Sequence, residues 1–159
     1  MRHLKSAQPA EPSAADLLDA EVGAMKKRKK SCNPRASFDK AIAEVTAMRE
    51  SKDWKDAKGK HLVALYVWLH TEIYGVEPAE LLVKTAYVQA CGAASRLLKD
   101  DFGGDCERAV GFMSWVWAKE RTKAKAGKQD GFRIGWRYQF ATKTLLTNYR
   151  VDLVRGLTR

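Results

Sequence analysis

No stretch of this chain is apolar for long enough to span a bilayer. The longest run, Leu62 to Leu69, falls well short of the roughly eighteen residues a spanning helix needs. Met1 to Pro12 is polar and lacks the apolar centre of a signal peptide. These absences predict an intracellular, cytoplasmic protein with no membrane partner. Cysteine is scarce: Cys32, Cys91 and Cys106 are odd in number, widely spaced and without a CxxC, which fits reduced thiols rather than a disulfide framework. Histidine is equally scarce. His61 and His70 would sit about 900° apart on one helix and so on opposite faces, and His3 lies in the polar lead-in. No transition-metal set and no Ser-His-carboxylate set can be assembled from them. Neither GxxxxGK[ST] nor GxGxxG occurs, which disfavours an NTPase. No cofactor is called for.

What the chain does have is positive charge, unevenly placed. The net charge is +10 over 159 residues. Of this, +8 lies in Arg121 to Arg159, where ten basic side chains face only Asp130 and Asp152. His61 to Ala118 sums to −3. Threaded through the basic quarter are Phe132, Trp136, Tyr138, Phe140 and Tyr149. Cations bind phosphate without reading sequence, and flat rings stack on bases, so the mixture suits a nucleic-acid surface.

Apolar spacing organises the rest. Ser13 suits the cap of a helix with Leu17, Leu18, Val22 and Met25 as its stripe, running into the basic cluster Lys26, Lys27, Arg28, Lys29 and Lys30. Asn33 and Pro34 then break the chain. A short helix is expected from Ser37 to Ser51, followed by one capped by Asp56, centred on Leu62 to Leu69 and stopped by Gly75. Pro78 opens a helix over Ala79 to Lys99, with Leu82, Ala86, Ala90, Ala93 and Leu97 on one face. Its small residues, Gly92 among them, would let another helix approach closely. Asp105 caps a further helix with Ala109, Val110, Met113, Val116 and Trp117 on its core face, widened by Phe112 and Trp115. Gly127, Asp130 and Gly131 mark a loop. Phe132 to Phe140 alternates like a strand, but Ile134, Tyr138, Ala141, Leu145 and Tyr149 keep one helical period, which predicts a helix over Gly135 to Arg150. The fold expected is all-α: a compact bundle of four to five helices over residues 37–159, preceded by a flexible or partly helical basic arm over 1–36.

The candidate nucleic-acid-binding residues are Lys26, Lys27, Arg28, Lys29, Lys30, Lys119, Arg121, Lys123, Lys125, Lys128, Arg133, Arg137, Lys143 and Arg150, with Trp136 as the stacking ring. The simpler alternative is that Trp136, Tyr138 and Phe140 are core and the cations solvate the outer face. Asp100, Asp101, Asp105 and Glu107 surround Gly103 and Gly104, but helix capping explains Asp105 and Glu107 without a divalent ion.

The strings HLVALYVWLHTEIYGV, AASRLLKDDFGGD, RAVGFMSWVW and GWRYQF, between His61 and Val151, resemble small helical proteins encoded by bacteriophages and prophages among replication and DNA-handling genes. The resemblance implies an all-helical accessory role near DNA or a replication protein, with the bacterial host cytoplasm as its location. The reading is therefore a non-enzymatic nucleic-acid-binding accessory protein, with DNA favoured over RNA. One alternative is a protein-interaction module that docks on an acidic host or phage protein, with inhibition as one consequence. Another is a small structural or assembly protein.

Overall fold

The computed structural model describes residues 34–127 and 133–157. They lie in a compact unit that extends from Asn33 to Arg159. Among them every regular element is helical. In chain order these are α1 (Pro34–Ser51), α2 (Gly59–Tyr74), a 3-10 turn (Ala79–Leu82), α3 (Lys84–Arg96), a π-helical turn (Leu97–Asp101), α4 (Cys106–Lys125), α5 (Trp136–Phe140) and α6 (Thr144–Val154). The all-helical class is as expected, and the number of α-helices exceeds the expected four to five by one because the final segment is broken.

Helix α2 is the hub. Its sequence GKHLVALYVWLHTEIY is apolar nearly all round, and Leu62 to Val67 are all buried as α1, α3 and α4 pack on it. Each large side chain buried here contributes on the order of 1.5–3 kcal/mol. The Tyr66 ring meets Trp117 of α4 edge-on at 5.6 Å and Phe140 of α5 at 5.7 Å, tying three helices at one point. The helix stops at Gly75, whose left-handed φ of 73° suits a residue without a Cβ and lets its N–H return to the Thr71 carbonyl. Its start differs from expectation. Asp56 is not the cap: Lys58 is, and its N–H donates to His61 Nδ1 at 3.0 Å. That bond leaves the proton on Nε2, which donates to Glu44 of α1 at 2.6 Å. Lys60 joins the same carboxylate, and together they hold Glu44 down to about 2. His70, on the far side of the helix, bonds the Val76 carbonyl at 2.8 Å, and burial holds its pKa below the usual value.

The helix expected over Ala79 to Lys99 is interrupted. Val83 is extended, so the chain enters α3 with a reset phase, and Leu82, expected on the core face, is 57% exposed. Tyr87 replaces it inside, followed by Ala90, Ala93, Ala94 and Leu97. A close approach of helices is present, but at other residues than those expected: Gly59, opening α2, lies against the backbone of Cys91 and Ser95, while a Cβ at Gly92 would meet only the Arg96 guanidinium. Asp105 caps α4 as expected, accepting from the Arg108 N–H at 2.9 Å. The core face of α4 is buried at Ala109, Phe112, Met113, Val116 and Trp117, with Val110 and Trp115 half-buried. The Cys106 thiol is buried beside the Ala57 carbonyl, and burial raises the pKa of both Cys91 and Cys106, which keeps them protonated.

The continuous helix expected over Gly135 to Arg150 is the largest correction. It breaks at Ala141–Lys143 into α5 and α6, and the buried set becomes Ile134, Trp136, Gln139, Phe140, Leu146 and Tyr149. Ala141, expected on the core face, is exposed. The cause is tertiary. Tyr66 donates to the Ile134 carbonyl at 2.7 Å, Ile134 N–H donates to the Tyr74 hydroxyl at 3.4 Å, and Trp136 N–H donates to Glu80 at 3.4 Å. These bonds fix the path of residues 134–136 before the helix begins, and α6 must then turn to lie on α4.

Candidate nucleic-acid interface

The outward side of α4 becomes basic in its last two turns, and α6 packs beside it. Lys119 reaches across to Asp152 of α6 at 2.7 Å. The Trp115 indole N–H donates to the same carboxylate at 3.2 Å, and Lys119 Nζ sits 4.0 Å from the Trp115 ring centroid. The Lys119 hydrogen bond holds Asp152 below its ordinary pKa, and Arg155 adds a second positive charge nearby. At the start of α6, Lys143 bonds Asp101, and Arg150 approaches that carboxylate at 3.8 Å while donating to the Asp101 carbonyl at 3.3 Å. Asp101 and Asp152 therefore each face two cations, which leaves this edge of the molecule net positive. The cations of these pairs are more than half exposed although Asp101 and Asp152 are largely covered, so a phosphate can compete for the cations with charge-assisted bonds of its own.

Between α4 and α6 runs a groove of about 760 Å³, lined by Gly111, Ser114, Trp115, Ala118, Tyr149, Leu153 and Leu157. Tyr149 meets Trp115 edge-on at 5.4 Å and Phe112 at 5.4 Å, so the floor is aromatic while the rim carries Lys119.

The structure divides the predicted cations rather than gathering them. Lys119, Lys143 and Arg150 share the α4–α6 edge. Arg121 is paired with Glu72 of α2 at 2.9 Å, and Lys123 with Glu120 at 2.6 Å. Arg133 stands over Tyr74 at 5.5 Å and Arg137 over Trp136 at 5.2 Å, on the segment pinned to α2. Lys125 is exposed at the end of α4. Lys26, Lys27, Arg28, Lys29, Lys30 and Lys128 lie outside the described residues, as do the helix expected after Ser13 and the loop glycine Gly131.

Trp136, singled out for stacking, is 5% exposed and belongs to the core, so its face is closed to a base. Trp115 takes its place as the half-buried ring among cations. Sequence periodicity placed Trp115 on the widened core face. The signal that pointed outward was Lys119, one helical turn later, which puts a cation over the ring. The acidic cluster has dispersed into other roles: Asp105 is the cap, and Asp101 holds Lys143 and Arg150. Comparison with protein-family models, curated proteins and solved structures finds no match for the chain.

Proposed function

We propose that the chain binds nucleic acid, DNA in preference to RNA, as a non-enzymatic accessory factor, engaging backbone phosphates along the α4–α6 edge. The observation that carries this reading is the doubly subscribed carboxylates: Asp101 faces Lys143 and Arg150, and Asp152 faces Lys119 and Arg155. Each cluster retains positive charge after its internal pairing, and phosphates spaced along a strand suit two such clusters. The resemblance to phage-encoded DNA-handling proteins supports the same class of partner. The test is fluorescence anisotropy with labelled single-stranded and duplex DNA across a salt series, comparing the full chain with a Lys119→Gln, Lys143→Gln, Arg150→Gln, Arg155→Gln variant. Four lost phosphate contacts should flatten the log–log salt slope by roughly 3, with far-UV circular dichroism unchanged. An unchanged slope would overturn the reading.

A second reading has its own observation. Val151, Leu153, Val154 and Leu157 are exposed along and after α6, beside the aromatic groove. Nucleic-acid backbone has no use for such side chains, whereas an acidic protein partner does. Capture of one defined protein that survives nuclease treatment, together with no binding of free DNA at low salt, would favour it.

A further inference from the structure

Next to the aromatic groove, and sharing Ser114 and Ala118 with it, a second one of about 460 Å³ opens between α1, α2 and α4. Its volume falls within the range of small-molecule sites, and its lining mixes aromatic with charged side chains. Leu65 and Trp117 form its floor, and Trp54 and Trp68 its walls. Two guanidinium groups from different helices border it. Arg49 of α1 lies flat over Trp68, its carbon 3.3 Å from the ring centroid. In that posture the face is satisfied by the ring, while the in-plane N–H groups stay available, and Arg49 forms no ion pair with a described residue. Arg121 of α4 is held by Glu72 at 2.9 Å, both at least one-third exposed and both lining the groove. A separate observation concerns the floor: Trp117 is 1% exposed, and its indole N–H has no hydrogen-bond partner. Buried donors are seldom left without an acceptor.

We propose that this groove binds a small organic anion with an apolar body, its anionic group received by Arg49 and Arg121 and its body lying against Trp54 and the part of Trp68 that Arg49 leaves open. The site is independent of the phosphate-binding edge, so either assignment can fail alone. Binding would compete with Glu72 for Arg121, and Trp117, which lines the groove from beneath, would report occupancy through its indole resonance.

The full chain is titrated with 1-anilinonaphthalene-8-sulfonate and with N-phenyl-1-naphthylamine, which has the same rings without the sulfonate. One-to-one binding is expected, with the anionic probe at least about tenfold tighter than the neutral one. Arg49→Gln and Arg121→Gln should each weaken the anionic probe about tenfold, whereas Lys123→Gln, on the same helix but outside the groove, should not. In ¹⁵N–¹H spectra of the unaltered chain the Trp117 indole resonance, assigned by triple resonance, should move on addition of the sulfonate. That measurement needs no variant to fold. A stationary Trp117 resonance, equal affinity for the two probes, or equal weakening by Lys123→Gln would overturn the proposal.

Discussion

Helices α2 and α3 meet by close packing, and helices α4 and α6 add an ionic outer edge to an apolar centre. At the first contact Gly59 lies against the α3 backbone with no room for a methyl group, and Ala90, Ala93 and Ala94 are buried beneath. At the second, Tyr149 and Leu146 give the apolar part, and Lys119, Trp115 and Asp152 hold the outer edge. Close-packed contacts tolerate almost no change in volume, whereas exposed ionic contacts tolerate substitution and yield to competing ions. The two contacts should therefore respond differently to a change in volume and to a change in ionic conditions.

Adding one methyl group should break the first contact most severely. A Cβ at Gly59 would fall 2.1 Å from Ser95 Oγ and 2.7 Å from the Cys91 carbonyl oxygen. The hydroxyl can rotate away, but the backbone cannot, so helix α3 must shift. Gly59→Ala should cost about 2–3 kcal/mol, read as a lowered midpoint in urea. A loss below about 0.5 kcal/mol would show that the crossing gives way easily and is not held by shape.

The elements that were legible in the sequence are those set by local chemistry. Gly75 ends α2, Asp105 opens α4, and the face containing Ala109, Met113, Val116 and Trp117 is buried because each follows from spacing within one helix. What was not legible depends on partners distant in sequence. The path into α5 is fixed where Tyr66, sixty-eight positions upstream, donates to the Ile134 carbonyl, and the break after Phe140 lets the last helix pack on α4. The exchange of roles between Trp136 and Trp115 has the same origin, since both stand among aromatics and cations in sequence and only packing separates them. Part of the candidate site was visible as charge, but its division into the α4–α6 edge and the segment at Arg133 and Arg137 was not.

The shape-held side has one defect, and removing it should strengthen that side. Gln139 of α5, which packs on α3, is completely buried, and neither its Nε2 nor its Oε1 has a hydrogen-bond partner. A buried amide without partners forfeits roughly 1–3 kcal/mol, and methionine has similar volume without that cost. Gln139→Met should raise stability by about 1–2 kcal/mol, measured by the same urea midpoint. A loss of stability would mean that the amide is satisfied by ordered water.

A second glycine sharpens the contrast with Gly59. Gly92 lies within α3, and a Cβ there would meet nothing closer than the Arg96 guanidinium at 3.8 Å. Gly92→Ala should stabilise by about 0.5–1 kcal/mol through helix propensity alone. Opposite signs for alanine at positions 59 and 92 would localise the tight crossing to the start of α2; matching signs would refute that placement.

The ionic edge should respond to pH and salt where the other contact does not, with the smallest effect of the set. Lys119 holds Asp152 below its ordinary pKa of 3.8, so the carboxylate's contribution is complete above that value in the unfolded chain and is lost as pH falls through the lower folded one. Acidification through the lowered folded pKa of Asp152 should therefore release the Trp115 indole, read as a shift of its ¹⁵N–¹H resonance, and Asp152→Asn should abolish that acid-dependent shift. Glu44, held down to about 2 by Lys60 and His61 at the α1–α2 contact, is a second lowered carboxylate that acid would protonate, so the local resonance discriminates where a global melting curve would not. Raising salt at neutral pH should loosen the Lys119 pair in the same direction, because screening acts on exposed charges, and should leave the Gly59 crossing unmoved. If the Trp115 resonance ignores both acid and salt, packing against Tyr149 and Phe112 holds this edge as well, and the contact belongs with the shape-held side.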